Sequence, residues 1–269
     1  MSGIIVPVNF SAASTNAAEY ALDLANEQGL EVSLLHVILI PPSVAYAPLP
    51  DNLVEQMKDD ARFNMLALAE KLRTRATSKA TIHTYIELGT IEQQVEQLAK
   101  RKNANCVVMG ISHESSQKVV YQSNIFTALK SLPVPLAMIP EGAGFKPWKK
   151  IAIAYDFSDS VKDLPLNEIK GIPALKGAEV HIVYVKRKNE ADPSHAAMQE
   201  VQQQLAGFTV RFHLVEAGSV EEGFADYVSR HETDLLVLLP KHHNFFEFHK
   251  SDSKRILRHL AVPMLSIHA

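Results

Sequence analysis

The sequence predicts an α/β protein made of two tandem doubly wound domains, each with a parallel sheet and helices on both faces. Short apolar runs rich in β-branched residues alternate with helical patterns along the 269 residues, as expected of parallel strands joined by crossover helices. The chain also repeats itself, because residues 4–11 recur in character at residues 151–158. We therefore expect each half to fold as one copy of the same unit.

The repeat continues through both halves in the same order. Further matched blocks are residues 34–37 with 181–185, 87–92 with 216–221, 105–110 with 234–240, and 123–139 with 251–267. A stretch containing Gly142, Gly144 and Pro147 separates the copies and is typical of a short linker. The sequence thus predicts a first domain over residues 1–140, a linker over 141–148 and a divergent second domain over 149–269.

In the first copy, apolar runs predict strands at residues 4–8, 32–37, 81–87, 106–109 and 136–139. Their nearly continuous apolar character favours burial on both faces of a sheet. Between them, apolar residues at three-to-four spacing predict helices. These residues are Ala17, Ala18, Ala21, Leu22, Leu24 and Ala25, then Leu53, Met57, Ala61, Leu68 and Leu72, then Ile91, Val95, Leu98 and Ala99. Gly29 stands where the first helix should end, and Ser123 should begin a fourth.

The second copy is less regular. Pro165 and Pro173 bracket its first helical segment, which should therefore be short or distorted. Later helices are predicted from the apolar series Met198, Val201, Leu205 and Val220, Phe224, Val228. A last helix should lie near residues 251–260, before a strand at 264–267. The first copy alone carries a proline-containing insertion at residues 40–56, which we interpret as a tolerated surface loop, with a lid as the alternative.

Composition excludes several functions. The 27 Lys+Arg against 30 Asp+Glu leave a formal net charge of −3, which argues against nucleic-acid binding. No run of about 18 apolar residues occurs and residues 1–10 lack a secretory signal pattern, so we expect no membrane span and a cytoplasmic location. Cys106 is the only cysteine, which excludes an intrachain disulfide, and we interpret it as a buried structural thiol.

These features resemble the universal stress protein family in its tandem, two-domain form. The resemblance is carried by residues 4–11, by Leu35-His36-Val37 at a strand end, by Gly89 before a helix, and by residues 107–110 and 134–136. It implies a five-stranded parallel sheet of order 3-2-1-4-5 with helices on both faces in each domain. It also implies that residues 136–139 and 264–267 pair the two domains as an intramolecular pseudo-dimer.

The implied strand order leaves a crevice beyond the carboxyl ends of strands 1 and 4, where open α/β sheets bind ligands. We treat the residues around it as a candidate residual nucleotide site, and the resemblance implies ATP or AMP as its ligand. In the first copy they are Pro7, Val8, Asn9, Val37, Met109, Gly110, His113, Gln122, Ser123 and Asn124. In the second copy they are Asp156, Lys250 and Ser251.

The resemblance further implies a phosphate loop with three glycines and an acidic residue after strand 1. Glycines let the backbone approach phosphate oxygens, but Gly110 alone is kept. The other glycine positions hold His113 and Gln122 in the first copy and Pro240, His243 and Lys250 in the second. Asn9 replaces the acidic residue that Asp156 keeps. We therefore expect neither copy to bind ATP tightly, and the first copy to be the better candidate.

Rival sites are less well supported. Three histidines of the second copy could ligate a metal such as zinc, although their spacing matches no standard motif: His242, His243 and His249. No hydrolase motif such as G-x-S-x-G or H-E-x-x-H occurs. Three aromatic residues could contact a protein partner or a second copy in a homodimer, or could cap the crevice: Phe245, Phe246 and Phe248.

We therefore predict a universal stress response protein that is not an enzyme and acts as a binding or adaptor module with a degenerate nucleotide crevice. The first alternative is a stress sensor that binds an adenine nucleotide. The second alternative is a metal-binding protein that uses the histidine loop of the second domain.

Overall fold

The computed structural model describes residues 3–39, 51–77, 80–112, 134–155, 157, 169–186, 190–238 and 262–267. The chain divides into two compact units, Met1–Phe145 (unit 1) and Lys146–Ala269 (unit 2). The division falls within residues 141–148, the stretch that the sequence analysis treats as a linker. Within the described ranges, none of the helices combines the length and apolar character that crossing a membrane requires.

Unit 1 is a parallel α/β sheet, as the sequence predicts. Its strands are β1 (Gly3–Pro7), β2 (Glu31–Ile38), β3 (Thr81–Leu88), β4 (Cys106–Ile111) and β5 (Leu136–Pro140). They are ordered β3-β2-β1-β4-β5, and each pairing is parallel. The described helices are α1 (Ala12–Gln28), α2 (Asp51–Arg73) and α3 (Ile91–Lys102). The predicted helix from Ser123 lies outside the described residues.

Burial explains why these segments form strands. Every residue of β1 and β5 is buried, which fits strands covered on both faces. In contrast, β3 pairs only with β2 among the described strands and has no buried residue. The unit's core therefore lies along β1, β4 and β5, beneath helices that cross between them.

Helix α1 shows how local sequence signals set an element's bounds. Ser11 caps its amino end by accepting a hydrogen bond from the Ser14 N–H at 3.2 Å. Gly29 ends it with φ of 69°, in the left-handed region, as predicted. The predicted apolar face is confirmed, because all six of its residues are buried. The small alanines of this face let the helix lie close to the sheet.

Helix α2 lies where its apolar series predicts a helix, but it begins at Asp51, so residues 51–56 of the predicted surface loop are helical. The structure also corrects the predicted apolar face of this helix. Ala61, Leu68 and Leu72 are buried, whereas Leu53 and Met57 remain 42% and 36% exposed. The first buried residue of the helix is Ala61, so only the part of α2 from Ala61 onward packs on the unit. In the first two turns of α2, the spacing of apolar residues therefore does not mark buried positions among the described residues.

Unit 2 repeats the same sheet order. Its strands are β6 (Lys150–Ala154), β7 (Glu179–Lys186), β8 (Thr209–Glu216), β9 (Leu235–Leu238) and β10 (Met264–Ser266). They are ordered β8-β7-β6-β9-β10, and the pairings are parallel. The described helices are α4 (His195–Gln204) and α5 (Val220–Arg230), and a short 3₁₀ turn occupies Pro173–Leu175. The predicted helix near residues 251–260 lies outside the described residues.

Candidate functional site

The candidate site of unit 1 lies at the carboxyl end of β1, where the chain turns into α1. Strand β1 is central in the sheet, with β2 on one side and β4 on the other. The crossovers from such strands leave opposite faces of the sheet and open a crevice at this edge. We call this region the unit 1 crevice. Among its predicted residues, Pro7 is the last residue of β1, Val8 and Asn9 follow it, Val37 lies on β2, and Met109 and Gly110 lie on β4.

A polar network built from Asn9 closes the first turn of α1. The Asn9 Oδ1 accepts hydrogen bonds from the Ser11 N–H at 3.2 Å and from the Ser11 hydroxyl at 2.7 Å. The Asn9 N–H in turn donates to Ser14 Oγ at 3.3 Å. This arrangement uses the Asn9 oxygen for the backbone and leaves its Nδ2 amino group, a donor, as the chemically available end of an exposed side chain.

Phe10 and His36 form the wall next to this network. The His36 Nδ1–H donates to the Val8 carbonyl at 2.8 Å, so the ring is held in one tautomer with Nε2 as an acceptor. Phe10 stacks on that ring with centroids 4.6 Å apart. To do so it adopts φ of 62°, a backbone conformation that is uncommon for a bulky residue and that concentrates at functional sites.

Gly110 has a packing role at the other wall of the crevice. A Cβ at this position would lie 2.1 Å from the Ala13 carbonyl oxygen and 2.9 Å from the Ser14 backbone nitrogen. Both contacts are with backbone atoms, which cannot rotate away. Glycine is therefore required here because β4 meets the first turn of α1 directly, whether or not a ligand is bound.

Most of the predicted lining is closed off by the protein itself. Pro7, Val8, Met109 and Gly110 are buried, Val37 is half-buried, and Asn9 alone of these six is exposed. The remaining predicted site residues, His113, Gln122, Ser123, Asn124, Asp156, Lys250 and Ser251, lie outside the described residues. So do the metal candidates His242, His243 and His249, and within the described ranges no group of three or more His, Cys, Asp or Glu side chains is arranged so that it could hold a metal ion.

The corresponding edge of unit 2 is aromatic. Phe157 makes edge-to-face contacts with Tyr155 at 4.8 Å and with Tyr184 at 5.5 Å between centroids. Phe212 on β8 lies 6.2 Å from the same ring. The sequence analysis missed this group, although the repeat aligns Phe157 with Phe10 and Tyr184 with His36. Aligning the repeats at single positions would have found it.

The lone cysteine was predicted to be buried, and the structure leaves it partly accessible. Cys106 opens β4 and is partly buried. Desolvation raises the pKa of its thiol to about 12, so the nucleophilic thiolate is scarcely populated near neutral pH.

Comparison with known proteins agrees with this architecture. Residues 1–140 match the sequence profile described as the universal stress protein family. A universal stress protein of Methanocaldococcus jannaschii is 22% identical over 142 residues, which cover 51% of this chain and 80% of that protein.

Solved structures extend the likeness to the whole chain. A universal stress protein from Archaeoglobus fulgidus matches with a TM-score of 0.72 at 17% identity, covering 99% of this chain and 96% of that one. A Pseudomonas aeruginosa protein described as functionally unknown matches with a TM-score of 0.58 at 14% identity, covering 100% and 92%. At these identities the likeness establishes the fold, over both units.

Proposed function

We propose that this chain, which belongs to the universal stress protein family, acts in the stress response as a non-catalytic binding or adaptor module. Family membership supports a general stress-related role. We favour an adaptor over a nucleotide-dependent protein because of the contacts that two residues at the unit 1 crevice make within the protein.

The observation that carries the proposal is that both described residues of the nucleotide pattern already have structural partners. The Asn9 oxygen accepts hydrogen bonds from Ser11, and Gly110 is required by the Ala13 backbone. Neither residue therefore needs a nucleotide to explain its presence. The glycine positions that would approach phosphate hold side chains or proline, as the sequence analysis notes, and proline has no N–H to donate to an anion.

Calorimetric titration of the full chain with ATP and with AMP tests this proposal. We expect no saturable binding in the micromolar range for either nucleotide. Mass spectrometry of protein purified without additives should likewise find less than a stoichiometric amount of any nucleotide after denaturation. Sub-micromolar saturation at one site per chain would refute the adaptor assignment.

A photo-cross-linking residue in place of Asn9 tests whether the chain binds a protein partner at the unit 1 crevice. An adaptor should cross-link to a defined protein from stressed cells through this exposed position at the crevice. The matched control is the same residue at Thr81, which is exposed at the start of β3, away from the carboxyl edge. Equal capture at both positions, or capture at neither, would contradict a crevice-linked partner.

The second candidate is a sensor that binds an adenine nucleotide, and the exposed Asn9 favours it. Its Nδ2 group is a donor at the mouth of the crevice and could bond a ring nitrogen of a base. If this candidate is right, wild-type protein should saturate with AMP or ATP, and Asn9→Asp should change the affinity because it exchanges a donor for an acceptor. An adaptor predicts no binding by either variant.

A further inference from the structure

Unit 2 contains a cluster of titratable rings that the proposed function does not use. It consists of His181 on β7, His213 on β8, Tyr227 on α5, and His231 directly after α5; we call it the imidazole cluster. The rings of His181 and His213 stack with centroids 4.7 Å apart, and those of Tyr227 and His231 stack at 4.4 Å. The His213 ring lies 5.1 Å from Tyr227 and 5.0 Å from His231. The cluster thus joins β7, β8 and α5 through direct ring contacts.

Hydrogen bonds tie His181 and His231 to Tyr227. The Tyr227 hydroxyl donates to Nδ1 of His181, and desolvation raises the pKa of that hydroxyl to about 12. The His231 Nδ1–H donates to the Tyr227 carbonyl at 3.0 Å. The Nε2 atoms of His181 and His213 are buried and have no hydrogen-bond partner among the described residues. Protonation of His181 would place the new proton on Nδ1 and oppose the hydrogen bond that Tyr227 donates, and a protonated His213 would have no acceptor for its Nε2–H among the described residues.

Two charged residues face the cluster, Glu179 from β7 and Arg211 from β8. Glu179 Oε1 lies 3.3 Å from His181 Nε2, and the same oxygen is paired with the Arg211 guanidinium. Arg211 therefore offsets the attraction that Glu179 would exert on an imidazolium. From α5, Tyr227 contributes a neutral hydroxyl, and His231 would add a like charge if protonated.

Acidification therefore acts against this packing. Burial lowers the pKa of His181, against the opposing effect of Glu179, and burial also lowers the pKa of His213, with the neighbouring His181 and His231 adding to the effect. Because the unfolded chain binds protons on these residues more readily than the folded one, the cluster stabilises the fold above the ordinary histidine pKa of 6.5. That stabilisation is lost as the pH falls below 6.5.

The cluster also packs at the end of the unit 2 sheet, so loss of its contacts could release the end strand and expose the strand beside it. Strand β8 stands at the end of the strand order in unit 2 and pairs only with β7 among the described strands. Releasing it would leave the N–H and C=O groups of β7 unpaired, a template on which another strand can add. We propose that the imidazole cluster is an acid-sensitive latch that holds β8 and α5 in place at neutral pH and releases them on acidification.

Hydrogen exchange of the full chain at pH 7.5 and pH 5.0, corrected for intrinsic exchange rates, tests the latch. Each imidazole that stays neutral in the fold should raise the open population at pH 5.0 by up to about 30-fold, because the unfolded value is about 6.5. We expect protection to fall in Thr209–Glu216 and Val220–Arg230 and to change less in Leu235–Leu238. Equal protection of β8 at both pH values, or an equal loss throughout unit 2, would overturn the proposal.

The variant His213→Phe keeps a ring in the stack but removes one titrating group and one unpartnered nitrogen. It should protect β8 at neutral pH at least as well as wild type, and it should lose up to about 30-fold less protection at pH 5.0. The control His195→Gln removes an exposed histidine of the same unit and should keep the wild-type response. A full acid response in His213→Phe would refute the latch.

If His213→Phe does not fold, NMR titration of the imidazoles in the wild-type chain tests the proposal instead. The rings of His181 and His213 should titrate with midpoints below those of the same residues in urea. Midpoints equal to or above the unfolded values would refute the proposal.

Discussion

Gly110→Ala is the substitution that best separates packing from ligand binding at the unit 1 crevice. The new Cβ would lie 2.1 Å from the Ala13 oxygen, 2.4 Å from the Ala13 carbonyl carbon and 2.9 Å from the Ser14 nitrogen. Ordinary contacts to carbon begin at roughly 3.5 Å, so relieving the 2.1 Å contact would require the first turn of α1 to move by about 1.4 Å. Over-packing of a close-fitted core costs about 1–3 kcal/mol. With three backbone contacts we expect the upper end, about 3 kcal/mol.

Urea unfolding of the full chain, followed by far-ultraviolet circular dichroism, measures this loss. The control is Gly144→Ala, because a Cβ at Gly144 meets nothing within 4 Å and its φ is not positive. The free energy of unfolding of that variant should be equal to the wild-type value or higher by roughly a few tenths of a kcal/mol. If Gly110→Ala unfolds at the wild-type midpoint but alters nucleotide titrations, then Gly110 serves a ligand, and both the packing argument and the adaptor proposal lose their main support.

Three further predictions concern a cap, a thiol and a second close contact. Ser11→Ala should cost about 1 kcal/mol in thermal or urea unfolding, because it removes the cap of α1 and a donor to Asn9; no change would contradict the capping geometry. Cys106 should react with a disulfide reagent at pH 8 only after denaturation, because the pKa of its thiol is raised to about 12; rapid reaction of the native protein would contradict its burial. Gly223→Ala should destabilise unit 2 by about 1–3 kcal/mol, because its Cβ would lie 2.5 Å from a Val185 methyl; an unchanged unfolding midpoint would show that Val185 can rotate away.

Much of the sheet could be predicted from the sequence, because its buried strands show a strong local pattern of apolar residues. Continuous apolar runs predict β1, β4 and β5, and burial on both faces is the physical cause of that pattern. Five strands were expected in each domain, but no residue range was predicted for β8, because its residues show no continuous apolar run. Similarly, the ends of α1 follow from Ser11 and Gly29, whereas the exposure of Leu53 on α2 depends on where that helix meets the sheet.

The roles of the candidate site residues were harder to predict, because they depend on distances between atoms that the spacing of residues in the sequence does not give. Sequence reasoning interprets Gly110 as the remaining glycine of a phosphate loop, whereas the structure shows it pressed against the Ala13 backbone. The imidazole cluster was not predicted at all. His181 and His213 are 32 residues apart and meet only because β7 and β8 pair with Val183 opposite His213. A register of this kind is set by the whole sheet.

The two units place different chemistry at equivalent positions, and this bears on what a common ligand could be. In unit 1, Phe10 stacks on His36, whose Nδ1 is tied to the Val8 carbonyl, beside the polar group of Asn9. In unit 2, Phe157 and Tyr184 occupy the matching positions within an aromatic cluster. A ligand that needs the imidazole acceptor of His36 would find a phenol ring in its place in unit 2. The two units therefore share the order of their sheets, which requires only apolar strands, while the side chains at the two crevices differ in chemistry.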